Sequence, residues 1–487
     1  MNENVLLRGG QVCDPGTGTA RTADLLVRDG RVAEIGTDLR APEDVPVLDV
    51  TGLVVGPGFI DLHSHVDSIA GQRLQAMDGV CATLELEAGA ARVETAYASA
   101  ARDGRPLHYG YAASWAGARF AAHTGADPDD ILGVLGAPEW QRSSTPSERA
   151  TWLGRLETEL AAGGLGVGIL LGYAPRTDPA EFLDVARLAA SAGVPTFTHV
   201  RELVEADPTT PVDGSSEIAM AAAETGAAMH HCHVNSTSRR HIDRVLSTLD
   251  ESRSAGSPVT VEAYPYGAGS TAIGAFFLSP DRLPAWGMSP SDLVLVDTGE
   301  RIADAARLNE VRANDPGAPC IVHYLDERAE ADRALLRHAL AFEDSIVASD
   351  AMFVSWPDGS RESTEWPLPA GGRTHPRTAG TFSKSLRLMV REQRAWTWLE
   401  AFRRCSYLPA RVLDRVCATA SGKGHLGIGA DADIVVLDPE NLTDRATFAD
   451  PTRTAQGVRH LLVDGTFVVR DGELRADAFP GRPLRGQ

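Results

Sequence analysis

The chain has 487 residues, of which 43% are hydrophobic and 23% charged, a composition typical of a soluble globular protein rather than a disordered or fibrous one. Its formal net charge of −20, from 66 acidic and 46 basic residues, argues against nucleic acid or an anionic membrane surface as a partner. This length predicts a large domain with a smaller companion.

Neither a membrane span nor a signal peptide is expected from the sequence. No run approaches the roughly 20 apolar residues of a membrane span, and the start, Met1 to Asn4, lacks the basic and then apolar character of a signal peptide. The six cysteines form no Cys-x-x-Cys pair, which favours reduced, buried thiols over a disulfide framework. We therefore predict a cytoplasmic protein. The oligomeric state stays open, and a homo-oligomer is compatible with the sequence.

The two ends of the chain share a pattern of short strands and tight turns. From Val5 to Val55, apolar and polar residues alternate around Asp29-Gly30, which favours a hairpin turn because both residues tolerate positive φ. Similar alternation returns in residues 432–438 and 458–472. We therefore predict one small β-sandwich domain formed from both termini, residues 1–57 and 423–487.

The middle of the chain, residues 58–422, alternates apolar segments with helical stretches. Strands are predicted over 166–173, 194–199 and 228–233, and helices over 179–192 and 215–226. Strand, helix and strand at this spacing predict βαβ repeats with a parallel sheet, and the length suits an α/β fold of the (β/α)₈ TIM-barrel type. A doubly wound open sheet is the alternative; the missing Gly-rich dinucleotide fingerprint counts against its commonest use.

A Gly-Pro-Gly turn at residues 56–58 leads into an apolar stretch with two histidines one residue apart, His63 and His65. On an extended strand alternate side chains point the same way, so both imidazoles are expected on one side. Neutral imidazoles suit Zn²⁺ or a similar ion. A His-x-His pair alone is weak evidence, since a solvated edge strand also produces it. Its place at the end of an apparent barrel strand, where catalytic groups gather, favours the metal hypothesis.

Three further side chains stand at the ends of predicted strands. His199 ends one strand, His233 ends the next, and Asp350 follows the apolar segment 345–349. A lone histidine at a strand end is more often a hydrogen-bonded structural residue. Repeated placement at the ends of strands in one inferred sheet instead favours a shared metal site. Near a divalent cation, the Asp350 carboxylate can bind metal and also accept a proton from water.

In this order, His63-x-His65, His199, His233 and Asp350, the chain resembles the amidohydrolase superfamily, which carries two histidines on barrel strand 1, single histidines on strands 5 and 6, and an aspartate on strand 8. The resemblance spans nearly the whole chain, because a β-sandwich made from both termini is also typical of that superfamily.

More narrowly, the chain is similar to the N-acyl-D-amino-acid deacylase group. The matching stretches are residues 172–175, 198–201, 263–266 with 269–271, and 375–382. The resemblance implies a metal-dependent hydrolase of the amide C–N bond in an N-acyl amino acid of D configuration, or a related small acylated amine. It also implies one or two Zn²⁺ per chain, water activated by the metal, and Asp350 as the general base and acid.

The first departure from this group lies on predicted strand 2. The group usually carries a metal-bridging cysteine there, and a gap-free alignment puts Ala88 at that position. Glu87 lies beside it, and Glu85 shares its strand face. Other superfamily members bridge with a carboxylated lysine on strand 4, whereas residues 166–173 contain none. We therefore expect Glu87, or else Glu85, to bridge two metals; a glutamate pair on a solvated edge is the alternative.

The second departure is Asn235. The group commonly has a lysine two residues after the strand 6 histidine, where it helps to hold the substrate's α-carboxylate, and a neutral asparagine cannot supply that charge. Arg377 remains, and its planar guanidinium suits a carboxylate; a structural pairing with an acid is its alternative. The resemblance makes Tyr173, Tyr264 and His375 further candidates for substrate contacts, with Asn235 itself as another.

Two other functions stay open at this stage. A cyclic amide hydrolase of the hydantoinase or dihydroorotase type would keep the metal ligands and is compatible with the stretch after His233, but the His-Pro-Arg stretch at 375–377 is not expected there. A metal-binding scaffold without activity is the second, and the complete set of four histidines and Asp350 disfavours it.

Overall fold

The structure is a computed structural model that describes residues 3–128 and 131–487. Met1 and Asn2, where the predicted N-terminal domain begins, lie outside the described residues. The strands are β1 (Val5–Asp14), β2 (Thr19–Arg28), β3 (Arg31–Gly36), β4 (Val47–Asp49), β5 (Val54–Pro57), β6 (Phe59–Asp61), β7 (Val80–Ala90), β8 (His108–Ser114), β9 (Val167–Leu170), β10 (Thr196–His199), β11 (Met229–His231), β12 (Val259–Ala263), β13 (Ala268–Ala272), β14 (Leu293–Leu295), β15 (Pro319–His323), β16 (Ile346–Val347), β17 (Ile434–Leu437), β18 (Val458–Val463), β19 (Thr466–Arg470) and β20 (Glu473–Leu474).

The α-helices of the described residues are α1 (Ile69–Ala76), α2 (Val93–Asp103), α3 (Trp115–Thr124), α4 (Pro146–Ala161), α5 (Pro179–Ala192), α6 (Gly214–Thr225), α7 (Val234–Ser238), α8 (Ile242–Ser254), α9 (Ala305–Asn314), α10 (Glu330–Ala341), α11 (Arg377–Leu386), α12 (Trp398–Phe402) and α13 (Leu408–Leu413). The helix predicted over 179–192 coincides with α5. Asp178 begins it, because its side chain accepts the Ala180 N–H, and Gly193 ends it in a left-handed conformation at φ 68°.

The two ends of the chain form one sheet, as the alternation predicted. Its order is β20-β19-β18-β17-β5-β1-β2-β3, with β4 beside β1. The predicted hairpin turn joins β2 to β3, where Asp29 and Gly30 adopt φ of 51° and 73°. The apolar side chains of these strands pack into one core that includes Val5, Leu25 and Ile434.

The second sheet is parallel and follows the chain, in the order β6-β7-β8-β9-β10-β11-β12-β16. The residues just after β6 and β16 also pair in parallel, through Ser64 and Ala351. There the Asp350 N–H donates to the His63 carbonyl at 2.8 Å, and the His65 N–H donates to the Ala351 carbonyl at 2.8 Å. Pairing of the first strand with the last closes the sheet, so the predicted (β/α)₈ barrel is confirmed and the open sheet is wrong.

A small antiparallel sheet, in the order β13-β15-β14, is inserted in the chain between β12 and β16. Three short 3₁₀ helices of the described residues lie between β13 and β14: Phe276–Leu278, Leu283–Trp286 and Pro290–Asp292. The sequence patterns did not single out this sheet. Its strands are short, and their pairing is set by contacts between segments far apart in the chain.

The chain divides into two compact units. Unit 1 consists of Met1–Leu84, Tyr97–Gly110 and Ile346–Leu484, and unit 2 of Glu85–Ala96, Tyr111–Ser345 and Arg485–Gln487. The predicted domain boundaries, 1–57, 58–422 and 423–487, follow sheet membership rather than compactness and stay a prediction. None of the helices among the described residues is both long enough and apolar enough to cross a membrane.

Candidate metal centre

In unit 1, the two histidines of the His-x-His pair and Asp350 meet at one point. The Nε2 atoms of His63 and His65 lie 3.3 Å apart, and Asp350 Oδ1 lies 3.4 Å from the first and 3.5 Å from the second. For zinc bonded at its usual distances, the edge of a ligand tetrahedron is about 3.3–3.4 Å. The three atoms therefore have the spacing of ligands around one metal ion.

A buried carboxylate, Asp61, orders this cluster from behind. It accepts the backbone N–H of His63 at 3.3 Å and of Ser349 at 3.0 Å, together with the Ser349 hydroxyl and the Gln75 amide at 2.7 Å. Burial raises the pKa of Asp61 to about 6. The expectation that both histidines lie within a strand was wrong, because β6 ends at Asp61 and these hydrogen bonds orient the backbone beyond the strand.

Asp350 is held in an uncommon backbone conformation. Its φ is 52°, in the left-handed region that costs a residue other than glycine about 1–3 kcal/mol and that clusters at functional sites. Arg377, the first residue of α11, is fully buried, and its Nη2 donates to Asp350 Oδ1 at 2.9 Å. The acid that pairs with Arg377 is thus a candidate metal ligand. A contact of Arg377 with a substrate carboxylate stays a prediction.

His375 lies at the start of the same helix. Its Nδ1 accepts the Arg377 backbone N–H at 3.0 Å, and its ring meets the Phe448 ring edge to face with centroids 5.2 Å apart. The side chain is fully buried. These contacts shape the turn that leads into α11, and the predicted contact with substrate stays a prediction.

In unit 2, a second cluster joins Glu87 of β7 to the histidines at the ends of β10 and β11. Glu87 Oε1 lies 2.6 Å from His233 Nε2 and 3.2 Å from His199 Nδ1, and the two imidazole rings have centroids 4.7 Å apart. Glu87 and His233 are buried, and His199 is nearly so. One carboxylate and two imidazoles are a donor set that zinc accepts.

The other candidates on β7 are placed differently. Glu85 is half-buried, and its Oε1 accepts the Gly89 N–H at 3.3 Å. Because β7 continues unbroken to Ala90, Ala88 and Glu87 point to opposite sides of the strand. The gap-free match of Ala88 to the deacylases' cysteine therefore does not put residue 88 with the histidines, whereas Glu87 lies there.

Two glycines of the stretch 166–173 make room for this cluster. A Cβ on Gly172 would lie 2.6 Å from His199 Cδ2, so any other residue would displace the imidazole. A Cβ on Gly168 would lie 2.4 Å from the Glu87 carbonyl oxygen, where β9 approaches β7. The absence of side chains at these two positions is thus part of how the ligands are placed.

His233 also has a strained backbone, with φ 31°. Its N–H donates to Glu262 Oε1 at 3.2 Å, and the other carboxylate oxygen of Glu262 lies 3.0 Å from His230 Nε2. Ser236 Oγ lies 3.1 Å from His233 Nδ1 and can accept a proton from it, which leaves the Nε2 lone pair for a metal. The sequence analysis missed Glu262; an acid inside the buried strand β12 was the available signal.

Aromatic side chains surround His199. The Tyr173 ring lies 4.7 Å from the imidazole, and the Phe277 ring stacks on it at 5.8 Å, both measured between centroids. The Tyr173 hydroxyl bonds to Thr271 Oγ1 at 2.7 Å. Tyr173 therefore borders a predicted ligand, as expected of a residue near the substrate, although a substrate contact stays a prediction.

The amide of Asn235 is used by the protein itself. Its Nδ2 donates to the Tyr324 hydroxyl at 2.8 Å, and its Oδ1 accepts the Tyr264 backbone N–H at 3.2 Å. Asn235 and Tyr264 are both buried. Asn235 thus ties the start of α7 to the residues after β12 and after β15, and the predicted substrate contacts of Asn235 and Tyr264 stay predictions.

Comparison with known proteins shows the family to which the chain belongs. A model of the Amidohydrolase family matches residues 219–469, just over half of the chain. The chain belongs to the amidohydrolase family. The N-acyl-D-aspartate deacylase of Alcaligenes xylosoxydans xylosoxydans is 29% identical to it over 503 residues, which cover 98% of this chain and 94% of the relative.

Among solved structures, the N-acyl-D-glutamate deacylase of Bordetella bronchiseptica, in complex with zinc and a phosphonate inhibitor, has a TM-score of 0.77. It shares 26% identity, and the match covers 100% of both chains. A dihydroorotase of Citrifermentans bemidjiense is 48% identical over only 63 residues, 13% of this chain and 15% of the relative. The resemblance predicted from the sequence is confirmed.

Proposed function

We propose that this protein is a zinc-dependent amidohydrolase that removes the acyl group from N-acyl amino acids of D configuration. The observation that carries the proposal is a pair of donor clusters, each made of two imidazoles and one carboxylate, at the carboxyl ends of barrel strands. Both occur in a chain of the amidohydrolase family, two relatives of which act on N-acyl derivatives of acidic D-amino acids.

The donor sets indicate how metal would be held. His63, His65 and Asp350 would bind one Zn²⁺, and Glu87, His199 and His233 would bind a second; the bridging role expected of Glu87 stays a prediction. When bound, the metal would lower the pKa of water toward neutrality and polarise the scissile carbonyl. The spacing of the unit 1 ligand atoms fits this ion, as does the mixture of nitrogen and carboxylate donors in both units.

Asp350 would move the proton. We propose that the transferred proton binds to Oδ2 of Asp350, because Oδ1 already accepts the Arg377 N–H at 2.9 Å. The carboxylate takes the proton from the attacking water and returns it to the leaving nitrogen as the C–N bond breaks. The guanidinium of Arg377 keeps the carboxylate plane fixed through both transfers, because it is fully buried at the start of α11.

The cyclic amide hydrolase is the weaker alternative. Its support in the sequence is the short match to a dihydroorotase, which covers 13% of the chain, whereas the match to the N-acyl-D-aspartate deacylase covers 98%. The two functions differ in the substrate's shape rather than in the metal ligands, so the ligands alone do not separate them.

The test is a substrate panel with metal analysis. The purified protein should contain one or two zinc ions per chain and should hydrolyse N-acetyl D-amino acids, with little activity on their L enantiomers or on hydantoin and dihydroorotate. Treatment with a chelator should abolish activity, and added Zn²⁺ should restore it. Active protein free of divalent metal would overturn the proposal, as would a preference for the cyclic amides.

A further inference from the structure

A buried cation lies beside the unit 2 cluster. Arg239 is 8% exposed and comes six residues after His233. Burial lowers the pKa of its guanidinium to about 10, which leaves it charged at neutral pH. Its φ is 49°, so Arg239 has a left-handed backbone conformation, as the candidate ligands His233 and Asp350 do. A charge that is shielded from water needs compensation from a partner or a ligand.

The buried carboxylate of Glu202 acts on this guanidinium through its charge, but the hydrogen bonds of the guanidinium within the described residues go to neutral groups. Its Nε donates to the Ser236 carbonyl at 3.1 Å, and its Nη1 donates weakly to Met288 Sδ at 3.6 Å. Its plane lies over the Trp286 ring, 3.7 Å from the centroid. These contacts hold the guanidinium in one orientation. Within the described chain, none of these hydrogen bonds has a carboxylate as its acceptor, and none is donated by the Nη2 atom.

A nearby arginine shows the contrast. Arg282 stacks on Phe276 in the same way, 3.9 Å from the ring centroid, but its Nη1 also pairs with Asp207 Oδ2 at 2.8 Å. Arg240, next to Arg239 in the chain, pairs with Asp332, with Nη2 and Oδ2 2.8 Å apart. Arg282 and Arg240 therefore each bond directly to a carboxylate, whereas no such direct pair is found for Arg239 among the described residues.

Trp286 links Arg239 to the loop after His199. The indole N–H donates to Glu202 Oε2 at 2.7 Å, and Glu202 is three residues after His199. Burial raises the pKa of Glu202. Ser236 gives the link to the other ligand, because its Oγ lies 3.1 Å from His233 Nδ1 while its carbonyl accepts from Arg239. The guanidinium thus belongs to the same loops that carry two candidate metal ligands.

We propose that Arg239 binds a carboxylate of the substrate and supplies the positive charge that Asn235 lacks. This inference rests on the proposed function. Arg377 donates to Asp350, and Asn235 is bonded to Tyr324 and to the Tyr264 backbone. A buried guanidinium that is stacked on an indole and donates through Nε to a backbone carbonyl suits a carboxylate through charge-assisted hydrogen bonds.

The carboxylate has two sources in an N-acyl amino acid, the α-carboxylate and an acidic side chain. The experiment compares Arg239→Gln with the parent on four substrates: N-acetyl-D-alanine, its carboxamide, N-acetyl-D-aspartate and N-acetyl-D-asparagine. A loss in kcat/KM of about 10- to 100-fold is expected wherever the bound carboxylate is present, mostly through KM. Loss on N-acetyl-D-alanine but not on its carboxamide assigns Arg239 to the α-carboxylate. Loss on the aspartate derivative alone assigns it to the side chain.

Two further variants serve as controls. Arg240→Gln removes an adjacent arginine that already pairs with Asp332, and it should leave the ratio between acid and amide substrates unchanged. Arg239→Lys keeps the charge but loses the planar guanidinium, so its kcat/KM should fall several-fold on substrates that carry the bound carboxylate and stay unchanged on those that lack it. If Arg239→Gln does not fold, the result for Arg239→Lys decides the question. If kcat/KM fell equally, in both Arg239 variants, on each acid and on the amide paired with it (the alanine derivative with its carboxamide, the aspartate with the asparagine derivative), the inference would be overturned. A parent enzyme inactive on all four substrates would instead overturn the proposed function.

Discussion

The two donor clusters contain the same chemical groups but hold their carboxylates differently. In unit 1, Asp350 lies just after the short strand β16, has a left-handed backbone and shares Oδ1 with the Arg377 guanidinium. In unit 2, Glu87 lies within the long strand β7 and places one oxygen against two imidazoles. A carboxylate that already accepts from a guanidinium is a weaker metal ligand, because its negative charge is partly neutralised. The comparison suggests a division of labour, with Asp350 suited to proton transfer and Glu87 to ligation.

The difference also extends to the atoms that support each cluster. Asp61 gathers the unit 1 segments through four hydrogen bonds to two backbones, a hydroxyl and an amide. In unit 2, Glu262 fixes a single ligand, His233, through its backbone N–H. We therefore expect single substitutions to separate the two clusters in metal content and in rate.

The largest expected effect is that of Asp350→Asn. The amide has the same shape but cannot take the proton from water, so kcat should fall by about 10²- to 10⁴-fold. Because the variant keeps Glu87 and all four histidines, zinc content per chain should change little. Both quantities are measured on the same preparation, by elemental analysis and by hydrolysis of an N-acetyl D-amino acid. A near-normal kcat would move the base to another residue and remove the contrast between the clusters.

A smaller loss of rate but a larger loss of metal is expected from Glu87→Ala. Removing the carboxylate that contacts both His199 and His233 should lower zinc content by up to one ion per chain, since the two imidazoles would be left without a charged oxygen donor. Glu85→Ala is the matched control, because Glu85 lies on the same strand and accepts only from Gly89 among its described hydrogen bonds to backbone. Metal loss in the Glu85 variant with none in the Glu87 variant would exchange their roles.

The third prediction concerns Glu262, which acts on the metal only by positioning His233. Glu262→Gln keeps the volume and one acceptor oxygen but cannot serve both the His233 N–H and His230 as a carboxylate does. Changes to groups that orient a ligand typically cost about 10- to 100-fold in metal affinity, and we expect the low end of that range. Zinc affinity is measured by competition with a chromophoric chelator, and excess Zn²⁺ should restore the rate. Failure of excess metal to restore it would mean that Glu262 has a role beyond placing His233.

The sequence predicted those features that depend on local pattern. His63, His65, His199, His233 and Asp350 could be proposed from the sequence because strand ends in a parallel barrel bring distant residues to one edge. The helix predicted over 179–192 coincides with α5, whose ends are marked by Asp178-Pro179 and Gly193.

The features that the sequence could not predict depend on contacts between distant segments. The sequence preferred Glu87 but kept Glu85 open, because the contacts of Glu87 are with two histidines more than 100 residues away in the chain. Arg239 is an ordinary arginine in the sequence, next to another one. Its burial against Trp286, and the pairing of its neighbour with Asp332, result from the packing of loops that carry no periodic pattern.

The smallest effect on metal content and kcat is expected from a change beside Asp433, another buried aspartate of unit 1. Like Asp350, it has a cationic partner. Asp433 lies 2.7 Å from Lys423 Nζ and 3.0 Å from His108 Nε2. Burial by itself would raise the pKa of Asp433, but the charges of His108 and Lys423 outweigh it and hold this pKa well below its usual range. The stability from this ionised group is therefore present above the unfolded-state pKa of about 4 and is lost as the pH falls below it.

Lys423→Met leaves the buried Asp433 charge without its ammonium partner, and such a change typically costs about 3–5 kcal/mol of unfolding free energy. Thermal unfolding between pH 3 and pH 7 should show a lower midpoint and a weaker dependence on acid than in the parent, while zinc content and kcat at low temperature stay close to normal. Arg328→Gln, which breaks a pair with Asp326 in which the two side chains are 91% and 47% exposed, is the control and should shift the midpoint far less. If Lys423→Met instead lost metal, as is expected of Glu87→Ala, the Lys423–Asp433 ion pair would be needed for the metal centre itself. The contrast between a structural and a catalytic aspartate in unit 1 would then be wrong.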